Sequence, residues 1–294
     1  MTESKRAWIT LISAEELAGI LGQGDLAIID ARFGLADPTQ GERDYRSGHI
    51  PGAVYAHLDR DLSDHSRHGH GRHPLPRARD FTNTLGGWGI APNDQVVVYD
   101  ARDSAMAAAR VWHLLRLLGH KRVAVLDGGF ARWKTLGLPT TAEITQRKPT
   151  RYSGEFQDSM LVQANELGVP ATGQAPLLID ARAAERYRGD VEPIDHVAGH
   201  VAGAINHPYA LNLQADGRFL SPDELAATYR ARLNGVAPDR AVLMCGSGVT
   251  ACHNLLAMEH AGMHGARLYA DSWSGWISDP SRPVATASAD RREY

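Results

Sequence analysis

LAIIDAR at residues 26–32 returns as PLLIDAR at 176–182. In both copies a short apolar run, of strand length and uninterrupted by polar residues, ends in Asp-Ala-Arg, the pattern of a strand buried on both faces of a parallel sheet. The neighbouring segments recur in the same order. SGHIPGAV (47–54) returns as AGHVAGAI (198–205), and LDGGFARW (126–133) returns loosely as YADSWSGW (269–276), at offsets between 143 and 151 residues. A fixed order at a nearly constant offset means one domain of about 130 residues present twice, not a solenoid of short repeats. The expected division is a first domain over 8–139, a polar linker over 140–156 without apolar period, a second domain over 157–284 and a tail over 285–294.

Within each half, apolar runs such as AIID, VVVY and VAVL alternate with longer helical patterns. The expected class is therefore α/β: two tandem domains, each a parallel sheet flanked by helices. Ser13 with Glu16, and Ser221 with Glu224 and Pro222 between them, read as helix starts with capping boxes. The 294 residues, 43% apolar and 22% charged, are enough for two cores. A net charge of −3 argues against a general nucleic-acid or membrane-surface binder and toward a small-molecule or protein partner. MTESKRAWITL lacks the apolar stretch of a secretory signal and no segment has the length of a membrane span, so a cytoplasmic location is expected. Two cysteines seven positions apart make neither a disulfide framework nor a four-ligand zinc site, and at least one functional thiol in a reducing compartment fits them best.

One of those cysteines stands in LMCGSGVTACHN, residues 243–254, where the first half has VVVYDARDSAMAA with Asp100 in place of Cys245. Apolar residues lead in and a helical pattern leads out, with Val249, Leu255, Leu256 and Met258 for an inner face and a stop at Gly262. Cys245 thus lies between a strand end and a helix N-terminus, where unpaired N–H groups and the helix dipole favour an anion. Gly246 and Gly248 let the loop curl its own amides toward the same point. For a cysteine this setting makes a thiolate nucleophile. Ser247 is placed to orient or protonate a leaving group. Cys252, about two turns along the helix, reads as packing.

With these motifs in hand, the chain resembles the tandem-domain rhodanese-family sulfurtransferases from about residue 8 to about 284, and CGSGVTA at 245–251 resembles the signature of the branch that acts on 3-mercaptopyruvate. The resemblance implies a catalytic second domain and a first domain that has lost its cysteine. Sulfur would pass from 3-mercaptopyruvate to Cys245 as a persulfide, pyruvate would leave, and a thiol acceptor such as thioredoxin or a small thiol, or cyanide, would take the sulfur, with no metal or organic cofactor. Gly246, Gly248, Val249 and Thr250 would form the cradle with Ser247. Thiosulfate-using members carry basic side chains directly after the cysteine, and here Gly246 and Ser247 are neutral. Arg186, in ERYRG, is implied as the carboxylate anchor, whereas Arg182 matches Arg32 of the other half and reads as scaffold. A second arginine of the pattern is replaced by Ile194, leaving His196, Arg188 or His73 to compensate.

HLDRDLSDHSRHGHGRHPLP (57–76) has no equivalent in the second half. Its histidines at 65, 68, 70 and 73 lack the fixed spacing of a structural zinc site, so most of it reads as a solvated loop. By the family pattern, however, Asp59 and His73 meet Ser247 in a Ser, His, Asp relay. Three rival readings remain: a thiosulfate sulfurtransferase, a noncatalytic sulfur carrier on the same fold, and a cysteine phosphatase, whose loop needs an arginine where this chain has Ala251.

Overall fold

A computed structural model describes residues 7–167 and 175–286; residues 287–294 of the expected tail lie outside it. The chain forms two compact units, and each borrows a segment from the other half of the sequence. Among the described residues, unit 1 comprises 7–62, 76–157 and 214–219, and unit 2 comprises 63–75, 158–167, 175–213 and 220–286.

Unit 1 follows the order β1 (Leu11–Ile12), α1 (Ala14–Ile20), β2 (Leu26–Asp30), α2 (Gln40–Ser47), β3 (Ala53–Tyr55), α3 (Leu58–Asp61), α4 (Ala78–Gly87), β4 (Gln95–Tyr99), α5 (Ala108–Leu117), β5 (Val123–Leu126) and α6 (Gly129–Thr135). Its five strands pair in parallel in the order β1-β5-β4-β2-β3. Leu26, Ile28, Val97, Tyr99, Ala124 and Leu126 share one face with Leu17, Tyr45 and Trp133 of α1, α2 and α6. The alternate residues Ala27, Ile29, Val96, Val98, Val123 and Val125 are buried as well, with α5 against β4 and β5. Burial on both faces is why these strands read as unbroken apolar runs. The capping box at Ser13 and Glu16 forms as expected. The polar segment 140–156 is docked on unit 1: Thr141 exchanges two backbone hydrogen bonds of 2.9 Å with His49, Arg147 donates to Leu26 O at 2.6 Å, and the buried Tyr152 hydroxyl meets His120 Nδ1 at 2.8 Å. Backbone and arginine contacts need no hydrophobic period, so composition alone read it as a tether.

Unit 2 contains β6 (Leu177–Asp180), α7 (Ala184–Arg188), β7 (His200–Val201), β8 (Ile205–Asn206), α8 (Pro222–Leu233), β9 (Ala241–Met244), α9 (Ala251–His260), β10 (Arg267–Leu268), α10 (Ser272–Trp276) and β11 (Val284–Ala285). Four strands pair in parallel in the order β10-β9-β6-β8, and β7 pairs with β11 antiparallel. Ser221 caps α8 with Glu224, and Pro222 opens it. α9 differs from the one-sided helix expected, because every residue from Ala251 to Met258 is buried. A helix enclosed on all sides belongs to the core of a unit and carries no polar face to mark its orientation.

The repeated motifs are scaffold. Asp30 and Asp180 each hold their own motif arginine, Arg32 or Arg182, at 2.6 Å, and each arginine donates at 2.7 Å to a carbonyl of the following Gly-His segment, Gly48 or Gly199. The guanidiniums lie over the rings of Phe130 and Trp273, at 4.2 and 4.7 Å. The segment histidines bond the carbonyls of Tyr45 and Tyr187 and stack on those rings, 4.0 and 3.9 Å between centroids. Removing one partner of such a buried ion pair costs about 3–5 kcal/mol, which accounts for both halves keeping the set.

Candidate active site

In unit 2 the strand order places β8 on one side of β6 and β9 on the other, a topological switch point, and open parallel sheets bind ligands at the carboxyl ends of the strands there. Cys245 directly follows β9, and α9 begins six residues later at Ala251. The loop between is held by α10. Trp273 N–H donates to Cys245 O at 3.0 Å, Ser274 N–H donates to Gly246 O at 2.9 Å, and Cys245 N–H donates to Ser272 Oγ at 3.1 Å. Gly248 has φ +74°, and a Cβ there would sit 2.1 Å from Ala270 O, so neither its conformation nor its space accepts a side chain. Val249 is buried and Thr250, half-buried, precedes α9. Cys245 itself is 2% exposed.

Ser247 Oγ lies 2.8 Å from His73 Nδ1, both side chains buried. His73 comes from the first half of the sequence, yet its segment, 63–75, belongs to unit 2. Reading this loop as largely solvated therefore needs correction for its C-terminal part. His65 and His68 are exposed, but His70 Nδ1 meets Asp271 at 3.2 Å, Arg72 N–H donates to Ser274 Oγ at 3.0 Å, and Gly71, φ +80°, would carry a Cβ 2.5 Å from Asp271 O. The loop is pinned to Asp271 and Ser274, and Ser274 also holds the cysteine loop. Asp59 lies on α3 in unit 1, where its N–H donates to His57 Nδ1 at 3.2 Å.

Above Gly246 stand two guanidiniums. A Cβ built on Gly246 would be 2.9 Å from Arg72 Nη2 and 3.7 Å from both terminal nitrogens of Arg186. Arg186 donates to Glu192 at 2.7 Å and to Asp195 at 3.2 Å, and Arg72 pairs with Asp195. Burial raises the Glu192 carboxyl, but its hydrogen bonds from Arg186 and from the N–H groups of Asp195 and Ile194 outweigh that and hold it low. For Asp195 burial wins against the pull of Arg72, and its carboxyl lies above the ordinary range.

Cys245, Gly246, Ser247, His73 and Arg186 thus come together in one unit. The candidates for the missing second arginine do not fill its place. Arg188 is partly exposed and bonds Asp190 at 2.7 Å, His196 is exposed, His73 is engaged with Ser247, and the exposed Ile194 offers an N–H to Glu192 at 3.1 Å. Arg72 escaped the sequence reading. Its only local sign was adjacency to His73. Cys252 is fully buried, its thiol donating to Gly248 O at 3.4 Å.

Comparisons with known proteins identify the family of the chain. A family model described as a rhodanese-like domain matches twice, over residues 13–136 and 163–279. The chain is 48% identical over 278 residues to a Pseudomonas aeruginosa protein named "Probable 3-mercaptopyruvate sulfurtransferase", covering 94% of this chain and 98% of that one. It is 31% identical to the thiosulfate sulfurtransferase of Rattus norvegicus, covering 91% of each. Among solved structures, the 3-mercaptopyruvate sulfurtransferase from Leishmania major matches with TM-score 0.81 and 29% identity, covering 94% of this chain and 77% of the other. With the domain matched in both halves, and a cysteine loop in only the second, the chain belongs to the rhodanese family.

Proposed function

We propose that the protein is a sulfurtransferase that takes sulfur from 3-mercaptopyruvate onto Cys245, releases pyruvate, and delivers the sulfur to a thiol or cyanide acceptor, thioredoxin or a small thiol being the thiol candidates. The observation that carries this reading is the 2.8 Å contact between Ser247 and His73 beside the cysteine. When the Cys245 thiolate attacks the donor sulfur, the S–S bond forms as the C–S bond breaks, and the electron pair leaves on carbon as the enolate of pyruvate. That carbon needs a proton. Ser247 Oγ–H gives it and is replenished from His73, a positioned acid of the kind worth about 10²- to 10⁴-fold in rate. The acceptor thiolate then attacks the outer sulfur, the S–S bond breaks, and Cys245 returns as thiolate. The loop amides suit both the thiolate and the persulfide anion.

The related thiosulfate sulfurtransferase keeps a second reading in view, since two arginines near Gly246 also suit an inorganic anion. Glu192 and Asp195 offset those charges, and sulfite would leave without needing a proton donor. The test is competition between donors. In the presence of a thiol, kcat/KM with 3-mercaptopyruvate is expected to exceed that with thiosulfate, with one added sulfur on the Cys245 peptide by mass spectrometry. Equal or better use of thiosulfate would transfer the conclusion to the second reading.

A further inference from the structure

We propose that Arg72 is a second substrate-binding side chain of this site, holding the donor's carboxylate together with Arg186, and that Asp195 positions it. The proposal rests on the keto-acid reading above and supplies the partner cation that Ile194 does not.

Three observations carry it. The first is placement. Arg72 Nη2 and both terminal nitrogens of Arg186 converge on Gly246, the residue next to the nucleophile, at 2.9 and 3.7 Å from the position of its absent Cβ. A side chain there would displace the end of Arg72, so the glycine leaves room for its approach.

The second is a fixed backbone. Ser274 donates its N–H to Gly246 O at 2.9 Å and accepts the Arg72 N–H on its Oγ at 3.0 Å, linking Arg72 to the cysteine loop through a single residue. Gly71, confined against Asp271, sets the direction in which Arg72 leaves the chain.

The third is donor capacity. Asp195 accepts from both Arg72 and Arg186 and so holds the two guanidiniums side by side. Arg72 Nε is buried and has no hydrogen-bond partner among the described residues. A buried donor left without an acceptor is unfavourable, and an incoming carboxylate would relieve it.

Charge sets the preference. Arg72, Arg182 and Arg186 are matched by Asp180, Glu192 and Asp195. A cluster that is neutral in sum accepts one added negative charge more readily than two, which favours a monoanionic keto acid over a dianion.

The experiment separates a ligand from a loop fastener. Arg72→Ala is expected to raise KM for 3-mercaptopyruvate about 10- to 100-fold with kcat within a few-fold, the effect of losing one charged hydrogen-bonding contact. Arg72→Lys should recover part of the loss, since charge returns without the planar fork. Asp195→Asn should raise KM less than Arg72→Ala does. Calorimetric binding of pyruvate, itself a 2-keto carboxylate, gives a readout independent of turnover and is expected to weaken in Arg72→Ala in the same proportion. If the wild-type protein binds pyruvate but makes none from mercaptopyruvate, the functional reading fails; loss of that binding in Arg72→Ala still upholds the anion site, and its retention overturns it. Equal loss of kcat with both sulfur donors at unchanged KM would make Arg72 a fastener of the 63–75 loop and overturn the proposal. Unchanged KM and unchanged pyruvate binding would overturn it as well.

Discussion

Asp100 and Cys245 occupy the same position in their two units. Each comes directly after a strand at the switch point of its sheet; the carbonyl of each accepts an aromatic residue's N–H, from Phe130 at 2.9 Å and Trp273 at 3.0 Å; and the next carbonyl accepts from Ala131 or Ser274, in both cases at 2.9 Å. The two loops then diverge. In unit 1 the loop amides of Ser104, Arg102 and Met106 donate to the Asp100 carboxyl oxygens at 2.9, 3.3 and 3.3 Å, so the cradle is filled by the residue's own side chain. In unit 2 the first side chain is a thiol, the nucleophile of the proposed function. In the proposed function the cradle works together with Ser247, His73 and the guanidiniums over Gly246.

The most severe way to break this comparison is to move the thiol. Cys245→Ser should abolish pyruvate release and persulfide formation, whereas Cys252→Ser, a fully buried residue whose thiol donates to Gly248 O, should leave most of both. Adding Asp100→Cys to Cys245→Ser should restore no pyruvate release, because unit 1 supplies the loop without the serine and histidine. Pyruvate production by that double variant, assayed with a coupled dehydrogenase, would show that the cradle suffices.

A smaller effect sharpens the role of the acid. His73→Ala should slow pyruvate formation about 10²- to 10⁴-fold while the slower thiosulfate reaction changes much less, since sulfite leaves as a stable anion. Asp59→Asn should lower the keto-acid rate less than loss of the histidine does. Equal losses with the two donors, measured by steady-state kinetics, would assign His73 to holding the loop instead.

The smallest effect lies in unit 1. Burial and the nearby Asp103 push Asp100 up to about 7, against the pull of its three N–H partners, and burial pushes Asp127 up to about 6 even though Phe219 N–H donates to it. A carboxyl raised from 3.8 on folding favours the protonated native state. The stability it contributes is complete below about pH 4 and is lost as pH rises through about 7, at up to about 1.4 kcal/mol per pH unit for each proton. Asp100→Asn should flatten the dependence of the thermal midpoint between pH 4 and 7. Melting curves whose pH slope is unchanged in the variant would mean that the cradle keeps Asp100 ionised throughout.

The site was legible in proportion to how local its parts are. Cys245, Gly246, Ser247 and Gly248 were readable because a strand end, two glycines and a helix start are written in consecutive residues. Arg186, in ERYRG, was reached through its place in the family pattern. His73 was reached through the family pattern and not through spacing. Arg72, beside it, carried no separate sign, since its value comes from Ser274, Asp195 and Gly246, all more than 120 positions away. The histidine loop misled for the same reason: polar residues pinned by distant backbone groups have the composition of solvated ones.

By itself the sequence determined the duplication, the parallel strands and the candidate nucleophile, because burial on two faces, capping and loop curvature are set by neighbours along the chain. Only the tertiary structure decided which unit owns the 63–75 loop, that His73 lies 2.8 Å from Ser247, and that Arg72 stands over Gly246 beside Arg186. Those outcomes depend on which surfaces meet and which charges neutralise one another when they do. A buried guanidinium finds its carboxylate by distance in space, and separation along the chain carries no record of that distance.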